Sequence, residues 1–312
     1  MRTRTGALAV ALPLAAALLA SACSSGSTSG PASTASDTKI TAIGAENEYA
    51  SVIGQVGGKY VTAEAIMSNP NTDPHTFEAS PSVAAEVSAA QLIVQNGVGY
   101  DTFMNKIETA DPNPKRKVIV VQKLLGLPDD TPNPHLWYDP KTMPAAARAM
   151  AAALSAMLPA HKAFFQANLK KFDKSLIPWF TAIAAFKAKY PNTPVATTEP
   201  VADYMLQAAG TDNLTPFTFQ ADIMNGVDPS PEDIALEKGF FTKHKVKVFC
   251  YNQQVVDALT TSIRETALKA GVPVVGVYET MPTPGYDYQS WMLAEVNALT
   301  KAVADKISTQ KL

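Results

Sequence analysis

Short β-branched runs alternate with helical patterns along most of this chain, and no other feature narrows its fold so far. In the first half the runs are Lys39–Gly44 (KITAIG), Tyr60–Met67 (YVTAEAIM), Leu92–Gly97 (LIVQNG) and Lys117–Gln122 (KVIVVQ). Alternation of this kind predicts parallel strands with crossover helices, because a parallel neighbour needs a connection long enough to return over the sheet. The second half repeats the scheme with Thr193–Glu199 (TPVATTE), Val246–Asn252 (VKVFCYN) and Val272–Tyr278 (VPVVGVY). Helix starts are marked as well. Ser80 can cap and Pro81 fits the first helical position, while Asp228–Asp233 (DPSPED) offers a cap, a proline and first-turn acids suited to the positive end of a helix dipole.

Between the halves, Asp139–Leu158 and Pro159–Tyr190 read as helix with no strand signal, and Pro159 is the break. Phe164, Phe165, Leu169, Phe172, Leu176, Trp179, Phe180 and Ile183 fall near helical spacing, which assigns them to packing. Pro178 should bend this segment. The expected architecture is therefore α/β, with a first lobe over 38–158, a linking helix over 159–190 and a second lobe over 191–312.

The amino-terminal residues speak to location. Arg2 and Arg4 precede an apolar run from Ala7 to Ala20 that ends at LASAC, the pattern of a lipoprotein signal peptide over 1–23 with Cys23 as the lipidated first residue of the mature protein. The alternative is an ordinary leader cleaved at Ala22, with Cys23 incidental. Residues 24–37 are Ser, Thr, Gly, Ala and Pro with almost no large apolar side chain, so they form a tether and not a domain. Lipidation would leave Cys250 alone, and an exported chain without an internal disulfide must draw its stability from its core. With 26 Lys and Arg against 28 Asp and Glu, and no basic run, nucleic acid is excluded as a partner class. Past the leader no apolar stretch is long enough to span a bilayer.

Of the four histidines, His75 and His135 each follow a proline, in NPNTDPHTFE and TPNPHLWYDP. Proline fixes its own φ and biases its predecessor toward extended geometry, so each imidazole is presented on a stiff backbone. Such pairs suit a metal site; the plain alternative is a solvated loop residue. His161 and His244 read as surface. Glu199 and Glu279 end predicted strands of the second half, and ligands of open α/β sheets bind just outside such carboxyl ends. Each could equally be a helix cap or first-turn acid, a use that Asp287 in PGYDYQSW fits better than Glu279.

The stretch Ala45–Met104, with NPHLWYDP, TTEPVADYML, DPSPEDIALE and VVGVYET, resembles the zinc and manganese solute-binding lipoproteins of ABC importers, from about Lys39 to the carboxyl terminus. The resemblance implies two α/β lobes with parallel sheets joined by one long helix, and one divalent ion in the inter-lobe cleft. It implies His75 and His135 as imidazole ligands, Glu199 as the third ligand and Glu279 as the fourth. It also implies delivery to an ABC permease by a monomer held outside the cytoplasm, at the cell surface or in the periplasm, through Cys23. Two imidazoles with two carboxylates form a harder set than three histidines, which tilts toward Mn²⁺, whereas the general affinity order favours Zn²⁺; both stay open. Neutral imidazoles are required, so affinity is expected to fall below about pH 6. Other classes remain on the sequence alone: a metal-dependent hydrolase with water in the fourth position, or a surface adhesin.

Overall fold

The computed structural model describes residues 39–71 and 73–312; the leader, Cys23 and the tether lie outside the described residues. The strands β1 (Ile40–Glu46), β2 (Val61–Met67), β3 (Leu92–Gln95) and β4 (Lys117–Val120) form a sheet in the order β2-β1-β3-β4. A second sheet repeats this order as β6-β5-β7-β8, from β5 (Pro194–Thr197), β6 (Asp212–Asn213), β7 (Val248–Asn252) and β8 (Val274–Val277). All ladders are parallel, as the alternation predicts. β6 was not anticipated, because two residues are too few to show a period. Strands β3, β7 and β8 are buried at every position, since helices cover both faces and leave no wet side to alternate with.

The first lobe carries α1 (Asn47–Gly57), α2 (Pro81–Ala89), α3 (Thr102–Ala110), the single turn α4 (Val121–Leu124) and α5 (Thr142–Met157). The connector is α6 (Lys162–Ser175) and α7 (Ile177–Lys189). The second lobe adds α8 (Asp203–Ala208), α9 (Phe217–Met224), α10 (Pro231–Thr242), α11 (Ala258–Lys269) and α12 (Tyr288–Asp305). The Ser80 hydroxyl accepts from the Val83 N–H, and the Ser230 hydroxyl from the Asp233 N–H, each with a proline in the first turn. The connector's interruption falls at Leu176 and not at Pro178. Pro178 lies in the first turn of α7, where its missing N–H leaves no helical bond unmade.

In each sheet the chain moves from its first strand to one side and then to the other, so the order switches between β1 and β3 and again between β5 and β7. Crevices open at such switch points beyond the strands' carboxyl ends. The two sets of carboxyl-end loops meet at a packed seam. Asn47, opening α1, donates through Nδ2 to the Met281 carbonyl and accepts at Oδ1 from the Met281 N–H, both at 2.9 Å. The Tyr138 hydroxyl donates to the Tyr278 carbonyl at 2.8 Å. One hydrophobic core runs beneath these ties, joining Trp137 and Tyr138 of the first lobe to Trp179 of α7 and Tyr288 and Trp291 of α12. No helix among the described residues is long and apolar enough to cross a membrane.

Candidate metal centre

His75 sits in a single 3₁₀ turn, Pro74–Thr76, that follows β2. Asp73 Oδ1 accepts from the His75 N–H at 2.9 Å, and Pro74 opens the turn, so the stiff presentation read from the sequence has a hydrogen bond behind it. His135 precedes a second such turn, Leu136–Tyr138, and Glu279 lies just past β8. The three side chains converge from both lobes: His75 Nε2 and His135 Nε2 each stand 3.1 Å from Glu279 Oε2. Donor atoms of all three lie within 4.8 Å of one another. The side chains of His135 and Glu279 are 0% exposed, while that of His75 keeps 22%.

Glu199 is not in that triad. It is buried one amide away, because Asn252 Nδ2 donates to Glu199 Oε1 at 2.9 Å and to Glu279 Oε1 at 2.7 Å. Glu199 Oε2 is buried without a hydrogen-bond partner. Asp287 serves as the N-cap of α12: its carboxylate accepts from the Ser290 N–H in a capping box, which accounts for it without a ligand role. Of the other histidines, His244 is exposed, but His161 is half-buried and stacks on Tyr60 with ring centroids 3.8 Å apart.

The tautomer of His135 follows from its neighbours. Asn133 Nδ2 donates to the Pro200 carbonyl at 2.7 Å, which turns Asn133 Oδ1 toward His135, 2.8 Å from Nδ1. An amide oxygen only accepts, so the proton is on Nδ1 and the Nε2 lone pair faces Glu279 Oε2. A lone pair 3.1 Å from a carboxylate oxygen is repulsive unless a positive charge lies between them. The pair therefore asks for a cation, either a proton or a metal.

Electrostatics point the same way. Burial pushes the His135 imidazolium down, only partly offset by Glu279, so this ring is neutral at neutral pH. Burial also acts to lower His75, but the charge and hydrogen bond of Glu279, with Glu199 and Asp73 behind it, override that and raise it to about 9. Burial would raise Glu279, yet His75 and His135 together hold it well below the usual carboxylate range. Glu199 is raised well above that range by burial and by Glu279. The proton on His75 thus stabilises the metal-free fold fully below pH 6.5, and this is lost as pH rises through about 9. A metal taken by His75 would have to displace that proton, which moves the expected pH window upward from the one near pH 6 of free imidazoles. We expect metal affinity to rise by about tenfold per pH unit from 7 toward 9 for the His75 proton alone, and more steeply where Glu199, also raised, gives up a proton on binding. Calorimetric titrations at stepped pH check this, and a flat profile would remove His75 from the donor set.

Several residues at the centre carry no motif that sequence reasoning could use. The Tyr100 hydroxyl donates to Glu279 Oε2 at 3.0 Å, and its ring stands edge-on to His75 and His135. It is delivered by a strained loop in which Gly97, Val98 and Gly99 all have positive φ, an outlier for β-branched Val98 at 54°. The loop is held by the Asp101 carboxylate, which accepts from the Asn96 and Gly97 N–H groups, and by Gln122 Oε1, which accepts from the Val98 N–H. The only sequence cue was the pair of glycines flanking Val98. Gln254 Oε1 accepts from the Glu279 and Thr280 N–H groups at 2.6 and 2.8 Å and so fixes the backbone that carries Glu279. Glu46 and Glu48, either side of Asn47, have buried carboxylate oxygens with no side-chain partner, and burial raises both well above the carboxylate range. Trp137 is fully buried and lies edge-on to His135, while the Tyr204 hydroxyl donates to the Asn133 carbonyl, so both wall the centre. Cys250 is buried in β7 with its thiol pushed up by burial, which makes it inert.

Residues 45–302 match the family model described as zinc-uptake complex component A, periplasmic (ZnuA). The high-affinity zinc uptake system protein ZnuA of Haemophilus ducreyi is 25% identical over 248 residues, covering 68% of this chain and 77% of that protein. The manganese ABC transporter substrate-binding lipoprotein PsaA of Streptococcus mitis is 24% identical over 223 residues, covering 66% and 70%. In three dimensions the chain resembles the periplasmic zinc-binding protein TroA from Treponema pallidum, with a TM-score of 0.72 at 17% identity over 86% of this chain and 99% of that one.

Proposed function

The chain belongs to the family of periplasmic zinc-uptake complex component A, and from that premise we propose that it captures one divalent transition metal ion, Zn²⁺ or Mn²⁺, and hands it to an ABC permease. The observation that carries this reading is the convergence of two imidazole Nε2 atoms from the first lobe on one carboxylate oxygen from the second. A neutral imidazole, a second imidazole that can release its proton to an incoming ion and an ionised carboxylate, all aimed at a common point, suit a borderline cation better than any neutral solute. His75, His135, Glu199 and Glu279 are the ligands in this reading, with Glu199 completing the set through its unpartnered Oε2.

A binding role and not a catalytic one is supported by the relatives, which are solute-binding proteins, and by the burial of three of the four groups, which leaves little room for a second reactant. The reading extends to a monomer anchored outside the cytoplasm through lipidated Cys23, with 24–37 as tether, lobes over 38–158 and 191–312, and the linking segment over 159–190. Support for the anchor comes from the LASAC sequence and from relatives that are named lipoproteins. Titration of the metal-free full chain with Zn²⁺ and Mn²⁺ tests the function. One ion per chain at submicromolar affinity is the expected result, and no binding of either at micromolar concentrations would overturn it.

A further inference from the structure

How many bonds a captured ion receives depends on how many oxygens each glutamate can offer it. In this centre one residue governs both glutamates. Asn252 ends β7, at the switch point of the second sheet, and is 0% exposed. Its backbone N–H donates to the Thr198 hydroxyl at 2.9 Å, and its Oδ1 accepts from the Gln254 N–H at 3.0 Å. The second bond fixes which way the amide faces, so the NH₂ group points at the carboxylates and spends its two hydrogens on Glu199 Oε1 and Glu279 Oε1. The amide thereby sets the rotation of each carboxylate, with Oε1 held to Asn252 and Oε2 as the oxygen that does not contact it. Glu279 Oε2 faces both imidazoles and accepts from Tyr100, and Glu199 Oε2 is buried with no partner.

We propose that Asn252 is the specificity-determining residue of this centre: by fixing the rotation of both carboxylates with Oε1 toward its amide, it disfavours chelation by either, keeps the protein donor set at four and favours Zn²⁺ over Mn²⁺. This rests on the metal-capture reading above. Zn²⁺ accepts four nitrogen and oxygen donors in a tetrahedron. Mn²⁺ is a harder ion that favours six-fold oxygen-rich surroundings, which chelating carboxylates would approach and an amide-clamped pair denies it. The general affinity order acts in the same direction. A two-imidazole, two-carboxylate composition alone tilts toward Mn²⁺; the clamp opposes that tilt by holding both carboxylates in an orientation that presents one oxygen edge instead of a chelating pair.

The test measures Zn²⁺ and Mn²⁺ dissociation constants by competition on the full chain and on Asn252→Ala, together with the zinc coordination number by X-ray absorption. The wild type should prefer Zn²⁺ and show four nitrogen or oxygen neighbours. Asn252→Ala should narrow the Zn²⁺ over Mn²⁺ preference by about tenfold and raise the zinc coordination number. Parallel weakening of both metals in Asn252→Ala would reduce Asn252 to a structural residue and overturn the proposal while metal capture stands. Five or six neighbours in the wild type would do the same without any variant, and so decides the matter should Asn252→Ala fail to fold. Absence of binding in the wild type would remove the capture reading and this inference with it.

Discussion

Glu279→Gln is expected to weaken Zn²⁺ and Mn²⁺ binding by two to three orders of magnitude while leaving the fold intact. Glu279 Oε2 is the point on which His75, His135 and Tyr100 all converge, and Oε1 is tied to Asn252, so its position is set by four groups. Four-ligand protein zinc sites bind with about 10–16 kcal/mol, which divides to about 2.5–4 kcal/mol per ligand, and each 1.4 kcal/mol is a factor of ten. Glutamine keeps the shape and removes the charge. The same substitution takes away the group that raises His75, so burial should then dominate and this imidazole should become neutral at neutral pH. NMR titration of the His75 ring reads that change separately from metal affinity. Asp287→Asn serves as the contrast, because Asp287 caps α12 and should leave affinity untouched. Retention of wild-type affinity to within threefold in Glu279→Gln would show that this carboxylate is not a ligand.

Metal loading should stabilise the protein by about 4 kcal/mol at a free concentration near a thousand times the dissociation constant, or about 10 °C in Tm for a chain of this size. A chelator should reverse the shift. The physical source is the centre itself. In the metal-free state a fully buried carboxylate is neutralised by a proton on His75, and this arrangement weakens as the pH climbs through about 9. A divalent ion supplies that charge without the titration, so the metal-induced increment should grow with pH. Differential scanning calorimetry at pH 7 and pH 9, with and without metal, measures it. An increment that persists in Glu279→Gln would place the stabilising ion elsewhere on the protein.

The parallel architecture was legible because it is written locally. A buried strand such as Leu92–Gln95 is a short β-branched run, and a helix such as Pro81–Ala89 announces itself with Ser80 and Pro81. Candidate donors were legible for a related reason: Pro74 and Pro134 constrain the backbone beside each imidazole, and Glu199 and Glu279 sit where strands end. The groups that orient those donors were not. Asn133, Tyr100 and Asn252 are ordinary loop or strand-end residues in the sequence, and Tyr100 meets Glu279 only across a separation of 179 residues. No spacing rule reaches that far, because such a contact depends on how the two lobes face one another.

By itself, then, the sequence determined the fold class, the order of seven of the eight strands among the described residues, and which side chains were candidates to hold a cation. These follow from periodicity, capping and proline geometry, all of which act within a few residues. Only the tertiary structure decided that His135 carries its proton on Nδ1, that His75 titrates near 9, that Glu199 stands one amide behind the triad and that Asp287 is a cap. Each of these turns on hydrogen bonds and charges brought together inside a low-dielectric seam, where a displacement of one ångström changes which atom accepts and which donates.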